Sequence, residues 1–216
     1  MKAPPFEFDR QRAFTDLGTR VLSRFLMTRP RALRVENVED DWDYQRRDID
    51  LIWYRAIRGF ERTAVEIKCD AHFGTDEALA RSPDYPYYTL RTDNFAVETL
   101  SNDQAGTPGW VFGSQADMLL YYFVAIQRTL ADIEMMWAAG EDFLLAHLAV
   151  EHDRLYVIDL PELRAWFEPV QHAYPEVAAL NRGYRTLSRL VPCQDVVKAI
   201  RHCHVIDGVY RELELI

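Results

Sequence analysis

Two short segments constrain the fold of this chain more than any others, Asp48–Tyr54 and Thr63–Cys69. Both are rich in β-branched and aromatic residues, the side chains that suit a pleated, half-buried surface. Arg58-Gly59-Phe60 supplies a turn between them, so the pair is predicted to form an antiparallel hairpin. Phe95–Leu100 and Leu155–Asp159 read as further strands. Strands interspersed with helical segments predict an α/β, or α+β, fold on a mixed sheet, with residues 1–216 as one domain.

Helical periodicity is clearest from Phe8 to Met27. Phe14, Leu17, Val21, Leu22, Phe25 and Leu26 share one face, arginines occupy the other, and Pro30 closes the helix. A short strand is expected at 31–37, an acidic loop at 38–47, and loops at 71–93 and 101–113. Ser114, with Asp117 three positions on, looks like a capping box. It predicts a helix from Ala116 as far as Trp137, and a second helix over Glu141–Val150. Pro161 opens another helix. A strand over Tyr184–Leu190, a helix over Pro192–Ile200 and a terminal strand or hairpin over His204–Leu213 complete the chain.

Hydrophobic residues make up 49% and charged residues 27% of the sequence, which excludes a disordered, collagen-like or coiled-coil architecture. No apolar run approaches the roughly 20 residues of a membrane span. The N-terminus lacks the apolar stretch of a signal peptide. Cys69, Cys193 and Cys203 are an odd and sparse set, which points to a reducing, cytoplasmic setting. Their spacing lacks the second paired half of a zinc site.

The net charge of −9 weighs against non-specific nucleic-acid binding. The charge is segregated, however. Residues 2–34 carry eight basic and three acidic side chains, and residues 35–50 carry seven acidic and two basic ones. Two readings follow, a basic face beside an acidic pocket or a solvated helix followed by a solvated loop.

The chemistry concentrates on Asp50, Glu66 and Lys68. Glu66 and Lys68 are two apart on a strand and project from one face. Asp50, on the neighbouring strand, is expected within about 5–8 Å of them. Charged groups in such apolar company need a partner or a metal. An ordinary cross-strand salt bridge is one solution. The other is a hard-oxygen site for Mg²⁺ or Mn²⁺, with Asp50 and Glu66 as ligands and Lys68 steadying or deprotonating a water. Lys68 is one of three lysines against 22 arginines, as if a compact ammonium of tunable pKa were required there.

Further candidates surround this group. Asp48 shares the facing of Asp50. Glu98 reads either as a fourth acidic group or as an acceptor for loop hydrogen bonds. Ser101, Trp110 and Arg91 are candidates for substrate contact, with Trp110 stacking on a base.

These residues carry a resemblance. Asp50-Leu-Ile-Trp, followed by Glu66-Ile-Lys68, resembles the PD-(D/E)xK, or restriction-endonuclease-like, nuclease superfamily. Val65–Asp70, Thr92–Asn102 and Gly109–Asp117 are similar to successive pieces of its small phage and bacterial members. The chain departs from the pattern at Ile49, Asp93 and Gln115, where Pro, Gly and Lys are more usual. The resemblance implies an αβββαβ core with helical additions. It also implies a Mg²⁺- or Mn²⁺-dependent phosphodiesterase acting on nucleic acid, DNA first. Asp50 and Glu66 would be metal ligands and Lys68 the catalytic lysine. A homodimer is expected if a duplex is cut on both strands. A relative that keeps the fold only as a binding or assembly module is the alternative. Asp50, Glu66 and Lys68 are expected to converge in one cleft near the sheet edge, and Asp50 on the opposite face of the sheet from Glu66 would rule the metal site out. For a nuclease, the arginines of the first helix, or Arg91 and Arg128, should line the approach.

Overall fold

The computed structural model of the protein describes residues 6–213 apart from Phe60 and Arg182. Its helices are α1 (Phe6–Met27), α2 (Trp42–Gln45), α3 (Glu77–Arg81), α4 (Trp110–Gly113), α5 (Leu130–Ala139), α6 (Glu141–Ala146), α7 (Leu160–Val170), α8 (Cys193–Ala199) and α9 (Val209–Leu213). The strands are β1 (Ala32–Asn37), β2 (Leu51–Arg55), β3 (Arg62–Asp70), β4 (His72–Gly74), β5 (Thr89–Leu90), β6 (Asn94–Asn102), β7 (Thr107–Pro108), β8 (Met118–Ile126), β9 (Val150–Asp159), β10 (Glu176–Leu180), β11 (Arg185–Pro192) and β12 (Cys203–Asp207). The expected mixed α/β architecture is present.

The main sheet has six strands in the order β1-β2-β3-β8-β9-β12. β3 and β8 run parallel and every other neighbouring pair is antiparallel. A four-stranded antiparallel sheet, β10-β11-β6-β7, and the small pair β4-β5 complete the strands. The predicted hairpin is β2–β3. The strand expected at 95–100 lies in β6 and belongs to the second sheet, not beside the hairpin.

Two cores sandwich the main sheet. On one face α1, through Phe14, Leu17, Val21, Leu22, Phe25 and Leu26, packs on Leu51, Val65, Ile67, Leu120 and Tyr122. Each such side chain contributes about 1.5–3 kcal/mol by leaving water. On the other face Phe95 and Val97 of β6, Val111 of α4, and Leu163 and Phe167 of α7 pack on Ile52, Ala64, Leu119, Tyr121 and Phe123.

The helix expected from Ala116 to Trp137 is not formed. Residues 118–126 are instead β8, in the middle of the main sheet. Leu120, Tyr122, Val124 and Ile126 enter the first core, and Leu119, Tyr121, Phe123 and Ala125 the second. A strand covered on both faces reads as a continuous apolar run, which periodicity cannot separate from a buried helix. The capping reading of Ser114 and Asp117 falls with it. Ser114 ends α4. Asp117 continues the β3–β8 ladder: its carboxylate accepts the Ala64 N–H at 2.8 Å, and its own N–H donates to the Ala64 carbonyl at 2.9 Å. Helix resumes at α5, behind a capping box of Thr129 and Asp132.

Elsewhere the boundaries move modestly. α6 stops at Ala146, and β9 starts at Val150. The segment 204–213 divides into β12 and α9, and the loop 71–93 contains β4, α3 and β5. Pro161 sits in the first turn of α7, whose N-cap Asp159 accepts the Glu162 N–H at 2.8 Å. Among the described residues no helix is long and apolar enough to cross a membrane, and the cysteines are free thiols.

Candidate active site

The site forms where β2 enters the sheet. Pairing begins at Leu51, opposite Val65. Asp50 stands one residue earlier. Its N–H donates to the Val65 carbonyl and its carbonyl accepts from Val38 N–H, both at 2.9 Å. Its carboxylate accepts the Ile67 N–H at 2.5 Å. A side chain therefore satisfies a backbone donor of β3 that β2 does not reach. This puts the Asp50 carboxylate beside Glu66 and Lys68, by filling the ladder instead of by a cross-strand pair. The meeting point lies inside the six-strand order, on its third strand, and not at a sheet edge.

Glu66 is only 2% exposed. Its Oε1 lies 2.6 Å from Lys68 Nζ, while the Lys68 side chain is 36% exposed and reaches solvent. The salt bridge is thus real, but it joins neighbours on one strand and satisfies one carboxylate oxygen. Glu66 Oε2 is buried with no hydrogen-bond partner among the described residues. Leaving such an atom unsatisfied costs about 1–3 kcal/mol, and more for a charged group.

The electrostatics follow from burial. Burial pushes the Glu66 carboxyl well above its ordinary range; Lys68 opposes this and Asp50 adds to it. Burial pushes Asp50 up to about 6, against the pull of Lys68 and the Ile67 N–H, with Glu39 and Asp48 adding to the rise. For Lys68, burial disfavours the ammonium, but Glu66 and Asp50 outweigh it and hold the group above its usual value. The cluster has more carboxylate than its one ammonium neutralises, so both carboxyls bind their protons more tightly than they would in water.

Two more carboxylates feel the charge of Lys68 without pairing with it. Asp48 is not on a strand. It occupies a left-handed turn, φ 48°, ahead of β2, a conformation that aspartate and asparagine tolerate best after glycine. Burial raises its pKa and Lys68 opposes the rise. Glu98 of β6 likewise has its pKa raised by burial, opposed by Lys68, by the Trp110 N–H and by the Ser101 hydroxyl. Both readings of Glu98 therefore describe one residue, an acceptor of loop hydrogen bonds that also bears on Lys68. Its fit demands glycine at 109, where an added Cβ would stand 2.3 Å from the Glu98 carbonyl oxygen. Gly109→Ala is expected to lower the melting temperature by several degrees, because backbone has to move. A thermal melt equal to that of the parent would contradict this packing.

The other candidates are placed differently. Ser101 is engaged with Glu98. Trp110 is 4% exposed and its ring offers no open face to a base; its backbone N–H is what serves the cluster. Arg91 pairs with Asp93 at 2.8 Å and lies over the Phe73 ring. The approach expected along α1 is not formed. This helix packs on the face of the sheet that carries Val65 and Ile67, whereas Glu66 and Lys68 alternate to the other. Its Arg20 and Arg24 bind Glu141 and Asp142. Arg128 donates to the His147 carbonyl at 2.9 Å.

Glu39 was not foreseen; it bears on Asp50 and takes a 2.9 Å hydrogen bond from Thr19 of α1. Ser114 was missed as a site support because its spacing to Asp117 looked like a helix start. Among the described residues no group of three or more His, Cys, Asp or Glu side chains is arranged to hold a metal. The donor set of Asp50 and Glu66, with an orphaned buried Oε2, does fit a hard cation bound through two carboxylates and waters. Comparison with family models, curated proteins and solved structures finds no match to this chain.

Proposed function

We propose that the protein is a Mg²⁺- or Mn²⁺-dependent nuclease that hydrolyses phosphodiester bonds, with DNA as substrate. The observation that carries this reading is the unpartnered Oε2 of Glu66, buried beside Asp50 and next to a lysine that reaches solvent. The order α1-β1-β2-β3, followed by a strand parallel to β3, supports it, as does the resemblance of Asp50, Glu66 and Lys68 to the PD-(D/E)xK pattern.

Asp50 and Glu66 would hold the cation, which when bound acidifies water and offsets phosphoryl charge. Asp50 is oriented for this by the Ile67 N–H, and Glu66 by its bond to Lys68. Lys68 brings a positive charge to the solvent side of the cluster, where the scissile phosphate would approach. Its ammonium orients the attacking water or steadies the negative charge of the transition state.

The test is cleavage of single-stranded, duplex and branched DNA and of RNA in Mg²⁺ or Mn²⁺, with chelator as control. Activity that chelator removes, and that Glu66→Gln lowers through weaker cation binding, is the expected result. Clean preparations inert on every substrate would overturn it. They would favour the second reading, a binding or assembly module, which the net charge of −9 and the occupied arginines of α1 support.

A further inference from the structure

The second sheet ends in an exposed edge. β10 is its outermost strand and pairs on one side only, with β11. All five residues, Glu176-Val-Ala-Ala-Leu180, are exposed, Leu180 by 63%. The ladder to β11 is regular, with Glu176 opposite Arg189 and Leu180 opposite Arg185. Leu190 N–H donates to the Pro175 carbonyl and Asn181 N–H to the Tyr184 carbonyl, both at 2.9 Å. Bonded pairs alternate along an antiparallel ladder, so Val177 and Ala179 also turn their backbone groups to β11. Glu176, Ala178 and Leu180 turn theirs outward, where among the described residues they have no backbone partner. The other edges of the two larger sheets are blunted by charge, proline, a bulge or shortness. β1 has Arg34, Glu36 and a register shift after Ala32. β7 is two residues long and contains Pro108, and β12 ends on Asp207. β10 has no such device between Val177 and Leu180, and its one charged side chain, Glu176, pairs back to Arg189 at 2.8 Å.

We propose that β10 pairs antiparallel with β10 of a second copy of this chain, about a two-fold axis through Ala178. The outward residues 176, 178 and 180 are symmetric about Ala178, so one register satisfies both copies. Ala178 pairs with its own counterpart, and Glu176 of each copy with Leu180 of the other. Three pairs, each exchanging two bonds, satisfy every outward backbone group of the strand. Charge agrees with this register. The two Glu176 residues stand four positions apart along the ladder, about 14 Å, so no like charges meet. At the axis only two alanine methyl groups face each other, and Leu187 of β11 lies beside each. Each copy has one such edge, so association stops at two and joins the four-stranded sheets into one of eight. A five-residue ladder is smaller than the roughly 1,200–2,000 Å² of a standard interface, so the dimer is expected to form reversibly as concentration rises. The inference does not rest on the nuclease reading.

Amide hydrogen exchange read by NMR at low and high protein concentration tests both the partner and the register. In dilute protein the N–H groups of Glu176, Ala178 and Leu180 should exchange fast, and those of Val177 and Ala179 slowly. On concentrating the sample about a hundredfold, the first three should slow by about tenfold or more as dimer forms. Sedimentation velocity over the same range should pass from monomer to dimer, with no larger species. Ala178→Lys sets two ammonium groups against each other at the axis. It should stay monomeric throughout and keep the parent's circular dichroism, because that side chain is exposed. Val205→Lys, on the β12 edge and 42% exposed, should dimerise like the parent. A monomer at every concentration would overturn the proposal. So would a dimer in which the three amides still exchange fast, or an assembly that grows past two. Should Ala178→Lys not fold, the amide pattern of the unaltered protein decides.

Discussion

Lys68→Ala is expected to abolish nucleic-acid cleavage, a loss of about a hundred- to a thousandfold or more if Lys68 stabilises charge in the transition state. The variant strips the buried Glu66 of its one polar partner, and breaking a buried pair from one side typically costs about 3–5 kcal/mol. Glu66 already holds its proton well above the ordinary range, so it can escape part of this cost by staying neutral. The melting temperature should therefore fall more at pH 8 than at pH 5. Lys68→Arg separates charge from proton handling. Arginine keeps a positive charge but cannot release a proton near neutral pH, and its planar fork does not match a compact ammonium. It is expected to fold and to bind Mg²⁺ while losing most cleavage. Near-full activity in Lys68→Arg would make Lys68 an electrostatic support only. Failure of both variants to fold would reduce the residue to a structural salt bridge.

The second large effect concerns Asp50 and reverses sign with cation. The folded protein holds the Asp50 proton up to about pH 6, against an ordinary value of 3.8. A raised acid binds its proton more tightly when folded, so stability from this group is greatest at low pH and falls as pH climbs through that interval. Asparagine keeps an oxygen for the Ile67 N–H and carries no charge. In chelator, Asp50→Asn should melt near the wild-type temperature at pH 4 and progressively above it as pH rises toward 6, the difference levelling off beyond. With Mg²⁺ the order should invert, because the wild type alone gains by ligand binding, about 2.7 kcal/mol at a hundred times Kd. Scanning calorimetry at several pH values, with and without Mg²⁺, reads both halves. An Asp50→Asn protein less stable than wild type at every pH in chelator would show that burial of the charge carries no such cost.

Much of the site was legible in advance because strand geometry is local. Two residues apart on a strand means one face, so Glu66 and Lys68 were bound to meet whatever the rest of the chain did. Asp50 was placed beside them by the hairpin register, but the way it gets there depends on β2 starting one residue late, so that a carboxylate takes over a ladder bond. Asp48 shows the limit of the same reasoning. Continuing the strand pattern back to it gives the right neighbourhood and the wrong backbone, since nothing in residues 44–50 announces a left-handed turn. The partners that impose it, Ser114 and Gln115, are some 66 residues away.

The sequence by itself determined the elements whose signals are carried within a few neighbouring residues. These are the amphipathic α1 closed by Pro30, the β2–β3 hairpin, the capped start of α7 and the shared face of Glu66 and Lys68. Tertiary structure alone decided that residues 118–126 are a strand, that 95–100 serves the second sheet, and that Arg20 and Arg24 of α1 pair with Glu141 and Asp142. The reason is the same in each case. An apolar run buried on both faces has no period to read, and the partner of a strand is chosen by pairing and packing between segments far apart in the chain. Those long-range choices also bring the charge of Glu98, on β6 of the second sheet, to bear on Lys68.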